Sequence, residues 1–190
     1  MTPTLIIMVK EPRPGRVKTR LGREIGHTAA CWWFRHQVTR LLRRTADPRW
    51  RVVLAVAPDR AVPSRAWPAH VPRMAQGTGD LGARMARMLR HCEGPVCLIG
   101  ADIPDVGRPQ VARAFKALGN HDAVFGPAPD GGFWLVGARH PSRLPHGFFR
   151  AVRWSTEHAL SDSLGTLPGW RVAQVDVLRD VDTAADLGRS

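Results

Sequence analysis

Cysteine is scarce in this chain, and Cys31, Cys92 and Cys97 are odd in number and without metal-ligand spacing. That excludes a disulfide framework and a zinc site, so all three read as buried or incidental thiols. The eight histidines are scattered, with no HExxH and no short pair to hold a metal through imidazole. Long apolar runs are missing too. Nothing approaches the roughly 20 residues a membrane helix needs, and the run from Leu5 to Val9 is too short for a signal-peptide core and is followed, not preceded, by positive charge. A cytoplasmic protein with no membrane partner is expected.

Carboxylates are few, 16 against 28 basic residues, which leaves a net charge of +12. Such an excess first suggests nucleic acid. Only Lys10, Lys18 and Lys116 are lysines, however, and the arginines are spread along the whole chain. No basic stretch is interleaved with aromatics that could stack single-stranded bases. A general arginine-rich composition accounts for the charge better than a nucleic-acid partner does.

What is present fits a globular α/β domain. With 190 residues, 44% of them hydrophobic and 23% charged, one domain over residues 1–190 is expected. Short apolar runs at Thr4 to Val9, Arg51 to Ala57, Pro95 to Ile99, Asp122 to Phe125, Phe133 to Val136 and Arg171 to Val175 read as strands. Between them, helical periodicity marks Thr28 to Thr45, Asp80 to Cys92, Pro109 to Leu118 and Glu157 to Leu164, with a short helix after Asp182. The pair Trp32 and Trp33 falls in the register of the first helix and is assigned to packing. This alternation predicts a three-layer α/β/α domain with a mainly parallel mixed sheet, whose ligands bind beyond the carboxyl ends of the strands.

Five segments fall at such ends. In KEPRPGRVKTRL, Lys10 to Leu21, five cations (Lys10, Arg13, Arg16, Lys18 and Arg20) lie in a Pro/Gly-shaped loop after the first strand, a field suited to a polyphosphate. It is not a Walker A loop, because Val17 precedes Lys18-Thr19, and GxGxxG is absent. In LIGADIPDV, Asp102 follows a buried strand with Asp105 nearby, a position from which a carboxylate can hold Mg²⁺ or Mn²⁺ or else cap the next helix. MAQGTGDLGARM brings Gln76, Gly77, Gly79 and Asp80 to a loop that a flat ligand could approach, with Gln76 able to pair with a base edge. GPAPDGGFWLVG carries Asp130 in what also reads as an ordinary turn. In RDVDTAADL one of Asp180 and Asp182 is expected to cap the last helix and the other to complete the metal site.

Taken in order, PRPGRVKTRL, QGTGDLGARM, GADIPDV, PDGGFWLVG, VRWST and DVDTAADL resemble the nucleotide-diphospho-sugar transferase superfamily of the glycosyltransferase A fold. They are most similar to bacterial arsenosugar-biosynthesis-type glycosyltransferases and more distantly to 2-phospholactate guanylyltransferase. The resemblance implies that Lys18 and Arg20 hold phosphates, that Gln76 to Asp80 approach the base and that Asp102 binds the metal. It also favours Asp180 as the second ligand, with Asp182 as supporter or cap. Ala184 departs from the proline expected in the last motif.

The implied activity is metal-dependent transfer from a nucleotide-sugar or nucleoside triphosphate to a small-molecule acceptor approaching from the side of Asp130 and Trp154. Lys18, Asp102 and Asp130 are the candidate catalytic residues, with Asp130 available as a base. Glycosyl and nucleotidyl transfer both fit. A silent nucleotide-binding subunit and a basic nucleic-acid module are the rivals from other classes, and the oligomeric state is not legible in the sequence.

Overall fold

A computed structural model describes residues 1–187. Seven strands form one sheet: β1 (Thr4–Lys10), β2 (Arg51–Ala57), β3 (Arg73–Ala75), β4 (Val96–Ile99), β5 (Ala123–Pro127), β6 (Phe133–Ala138) and β7 (Val172–Gln174). Their order is β3-β2-β1-β4-β6-β5-β7. Only β6 runs against its neighbours β4 and β5, and every other pairing is parallel. The fold is thus the expected α/β architecture with a mainly parallel mixed sheet.

The continuous apolar run of β1 has its reason in this position. Leu5 and Ile7 enter one core cluster with residues of α2 (His27–Thr45) and α4 (Arg108–Ala117), whereas Ile6 enters the other, with α3 (Leu81–Arg90) and α5 (Ala159–Gly165). A strand covered on both faces has no polar side to show. From β1 the chain moves outward through β2 to β3 and then returns to place β4 on the opposite flank of β1. The carboxyl ends of β1 and β4 therefore form the crevice at which such sheets bind ligands.

Several local expectations are corrected. The segment from Lys10 to Leu21 is not wholly loop, because α1 (Thr19–Ile25) takes up its last residues and is followed by α2 across Gly26, whose φ of 91° lets the two helices break. Strand β3, three residues long and paired only with β2, was hidden by its brevity. Trp33 packs against the core as expected, but Trp32 is 55% exposed and lies over His36 instead. The last helix, α6 (Ala184–Leu187), is capped by neither Asp180 nor Asp182. Asp186 reaches back to accept from the backbone N–H groups of Asp182 and Thr183, so the capping carboxylate stands inside the helix.

Candidate functional site

A cleft of about 630 Å³ opens at the carboxyl ends of β1 and β4. Lys18 enters it from the residue just before α1, where the backbone adopts φ 47° and ψ 49°. That left-handed conformation is uncommon for a side chain with a Cβ and is held only where the surroundings demand it. Here the demand is ionic. The Lys18 ammonium lies 2.6 Å from Asp102 Oδ2 and 2.9 Å from Asp182 Oδ1, with 7% of the side chain exposed. Burial opposes its charge, but the Asp102 and Asp182 carboxylates outweigh that and set its pKa above the ordinary lysine value.

Asp102 stands just after β4, and its carbonyl accepts from Val181 N at 3.0 Å, which fastens the Asp180–Asp182 segment beside it. Asp182 also accepts from Arg20 Nη1 at 3.1 Å. Burial first, and then the Asp102 and Asp182 charges, push the Asp180 carboxyl up to about 6. One oxygen from each of Asp102, Asp180 and Asp182 lies within 4.8 Å of the other two. An all-oxygen set whose negative charge exceeds what Lys18 neutralises is the donor chemistry a hard divalent cation takes, so these residues fit Mg²⁺ or Mn²⁺.

The structure brings Lys10, Arg16, Lys18, Arg20, Gln76, Asp102, Asp130, Asp180 and Asp182 to one cleft. Arg13 is not among its walls and is paired instead with Glu11 at 2.7 Å. Asp105 is exposed elsewhere, and Gly107 occupies the cap position of α4. Gln76 is 2% exposed, and its Nε2 donates to the carbonyls of Val9 at 3.1 Å and Ala55 at 2.9 Å. Both amide hydrogens are spent on the sheet, which corrects its reading as a partner for a base edge. Asp80 caps α3 by accepting from Ala83 N at 2.7 Å. Gly77 and Gly79 stay outside the cleft walls, and their φ values of 75° and 106° serve the turn into that helix.

The far wall is aromatic. Trp154 packs edge-on to Phe133 and Phe149, and Arg153 fixes the segment by a two-pronged contact to Asp162 at 2.9 and 2.8 Å. Gly82 is required here, because a Cβ on it would come within 2.7 Å of Trp154 and 2.8 Å of Phe149. Asp130 lines the cleft with Oδ1 tied to Gly132 N at 3.0 Å. Arg84, also a wall residue, was missed in the sequence. Its signal was its spacing of three from Leu81, which places both on one face of α3.

The profile described as "Uncharacterized protein conserved in bacteria (DUF2064)" matches residues 40–156. The chain belongs to the DUF2064 family. No curated protein matches it. Among solved structures, a protein of Desulfovibrio desulfuricans G20 provisionally assigned as a nucleotide-diphospho-sugar transferase shares 32% identity at a TM-score of 0.83, over 96% of this chain and 83% of that one.

Two more distant structures share the fold. The 4-diphosphocytidyl-2C-methyl-D-erythritol synthase of Anaerococcus prevotii DSM 20548 matches at 9% identity and a TM-score of 0.63, over 98% of this chain and 95% of its own. Rv0371c of Mycobacterium tuberculosis H37Rv, solved in complex with manganese, matches at 15% identity and 0.57, over 100% and 97%. The DUF2064 chain therefore has the nucleotide-diphospho-sugar transferase type of α/β fold. The profile match includes Asp102, Asp130 and Trp154, and the wider match to the Desulfovibrio protein covers nearly the whole chain. No helix among the described residues is long and apolar enough to cross a membrane.

Proposed function

We propose that the chain is a metal-dependent glycosyltransferase that takes a nucleotide-sugar donor and passes its sugar to a small hydroxyl-bearing acceptor. The observation that carries this reading is the Lys18 ammonium seated between Asp102 and Asp182 in the cleft at the ends of β1 and β4. A cation neutralised only by aspartates that themselves suit a metal is placed to exchange those partners for phosphate oxygens. The assignment of the Desulfovibrio relative supports the donor class, and the resemblance to arsenosugar-type glycosyltransferases supports transfer of the sugar.

Asp102, Asp180 and Asp182 would hold Mg²⁺ or Mn²⁺, which when bound would neutralise charge on the donor's diphosphate. Lys18 and Arg20, with Lys10 and Arg16 on the same wall, bind the phosphates and stabilise the charge that grows on them as the bond from sugar carbon to phosphate oxygen breaks. Asp130 keeps Oδ1 on Gly132 N, which leaves Oδ2 to take the proton of the acceptor hydroxyl as its oxygen bonds to that carbon. Trp154 and Phe133 give the acceptor an apolar floor. A nucleoside diphosphate leaves.

Incubation of small hydroxyl- and phosphate-bearing acceptors with a panel of nucleotide-sugars or nucleoside triphosphates and Mn²⁺ tests the reading. Nucleoside diphosphate release that Asp102→Asn abolishes supports it. Pyrophosphate release from triphosphates would replace it with nucleotidyl transfer, and release of neither product across the panel would overturn it.

A further inference from the structure

Arg84 is held differently from the arginines of this chain that pair with a carboxylate. Arg13, Arg49, Arg113, Arg153 and Arg171 each pair with a carboxylate, whereas Arg84 pairs with none among the described residues. Its Nη1 donates to Gln76 Oε1 at 3.2 Å and its Nε to the Asp80 carbonyl at 3.3 Å, both neutral acceptors. The guanidinium lines the cleft. Of its five N–H groups, three carry no hydrogen bond within the described residues.

The orientation is imposed from below. Gln76 follows β3, and its amide nitrogen is locked by carbonyls of β1 and β2, so the direction of its Oε1 is settled by the sheet itself. A buried glutamine with both amide hydrogens committed can present only its oxygen to Arg84. A half-buried cation is thereby held at fixed geometry without a counter-charge, an arrangement that stability alone does not reward. The neighbouring wall residues Leu81 and Met85 lie on the same side of α3, and Met85 belongs to the apolar cluster against which Trp154 packs. The walls here thus combine an apolar surface for a flat ring with a donor-only fork at its edge.

We propose that Arg84, positioned by Gln76, reads the base of the donor nucleotide and selects one that presents two adjacent hydrogen-bond acceptors. A guanidinium can only donate. Guanine offers O6 beside N7, and cytosine offers O2 beside N3. Adenine sets an amino donor beside each of its ring acceptors on that edge, and uracil interrupts its two carbonyls with an N–H. Guanine and cytosine nucleotides are therefore preferred over adenine and uracil nucleotides. This inference rests on the nucleotide-donor reading above and assigns within it the residue that chooses the base.

The test is calorimetric titration of GDP, CDP, ADP and UDP with Mn²⁺ present into wild type, Arg84→Ala, Arg84→Lys and Gln76→Met. Wild type should bind GDP or CDP about tenfold or more tighter than ADP and UDP, the scale of one bidentate base contact. Arg84→Ala should level the four by weakening the preferred nucleotides alone. Arg84→Lys should do the same, because an ammonium keeps the charge but loses the fork. Gln76→Met should lower the preference ratio while ADP affinity changes less than about threefold, which a merely structural glutamine would not produce. Equal weakening of all four in Arg84→Ala, with recovery in Arg84→Lys, would make Arg84 a phosphate contact and overturn the proposal. So would a wild-type preference that survives in both Arg84 variants, or no wild-type preference among nucleotides that bind. Binding of none of the four would instead overturn the donor reading on which it rests.

Discussion

The Lys18 ammonium and the Asp102 carboxylate stand 2.6 Å apart, although 84 residues separate them in the chain. With Asp182 on its other side, Lys18 is the internal counter-ion of the aspartate cluster. It occupies the electrostatic role that a bound divalent cation would take, so the two compete for the same oxygens. Lys18→Met should therefore raise Mn²⁺ affinity in the absence of nucleotide by about tenfold or more, given charge interactions of roughly 1 to 4 kcal/mol at such distances. The same variant should bind nucleoside diphosphate about tenfold more weakly, having lost a charge-assisted phosphate contact. Titration calorimetry with metal alone and then with nucleotide separates the two effects. A weaker metal site in Lys18→Met would show that the ammonium organises the aspartates instead of competing for them.

Asp102→Asn approaches the same pair from the other side. The amide keeps the shape, but it removes charge that a hard cation prefers and one of the two ionic partners of a buried ammonium. Asp182 remains as a partner, so the expected loss of stability is modest, about 1 to 2 kcal/mol. Mn²⁺ affinity should fall by orders of magnitude. Urea unfolding and metal titration of one preparation check both, and wild-type metal affinity would remove Asp102 from the site.

Much of this site could be seen in the sequence because its parts follow strands. The buried runs ending near Lys10 and Ile99 announced β1 and β4, and the topology then brought Lys18 and Asp102 to one crevice. The roles of Gln76, Asp80 and Asp182 were less accessible, since each depends on a partner that local patterning does not name. Gln76 is held by a carbonyl 67 residues away, and Asp182 accepts from a lysine 164 residues away. Local reading instead gave Asp182 a cap that Asp186 supplies from within the helix. Trp32 shows the converse limit, because helical periodicity fixes which residues share a face but leaves the edge of the buried stripe open.

The corrected cap changes what the three late aspartates should do. Asp186→Ala should cost about 1 kcal/mol of stability, as loss of a helix-capping carboxylate does, with metal binding little altered. Asp182→Asn should weaken nucleotide binding by loosening Lys18 and Arg20. Asp180→Asn should stabilise the metal-free protein at neutral pH by on the order of 1 kcal/mol, allowing for its partial solvation, because a carboxylate disfavoured by burial and by two like charges is neutralised. It should also weaken Mn²⁺ binding. Urea midpoints for the three variants, measured without metal, would reverse the cap assignment if Asp186→Ala cost no stability.

The clasp between Arg153 and Asp162 makes the aromatic wall sensitive to acid. Asp162 accepts from the Arg153 guanidinium at 2.9 and 2.8 Å and from its backbone N–H at 3.0 Å. Those side-chain hydrogen bonds first, and then the backbone one, hold its carboxyl far below the ordinary aspartate range. A folded-state pKa depressed in this way gives stability that is fully present above the unfolded value near about 4 and is lost as pH falls toward the folded one. Wild type should accordingly lose stability between about pH 4 and pH 2. Other paired aspartates contribute to that slope, so the informative quantity is the difference from Asp162→Asn. The variant should be less stable than wild type at pH 7, and the gap should close as the pH is lowered through this window. Because Trp154, Ser155 and Thr156 follow Arg153 and line the cleft, the variant should also bind acceptor more weakly at pH 7 while leaving nucleotide affinity near wild type. Urea titrations at several pH values give the first result, and a gap that stays constant down to pH 2 would mean that the clasp adds nothing through its charge.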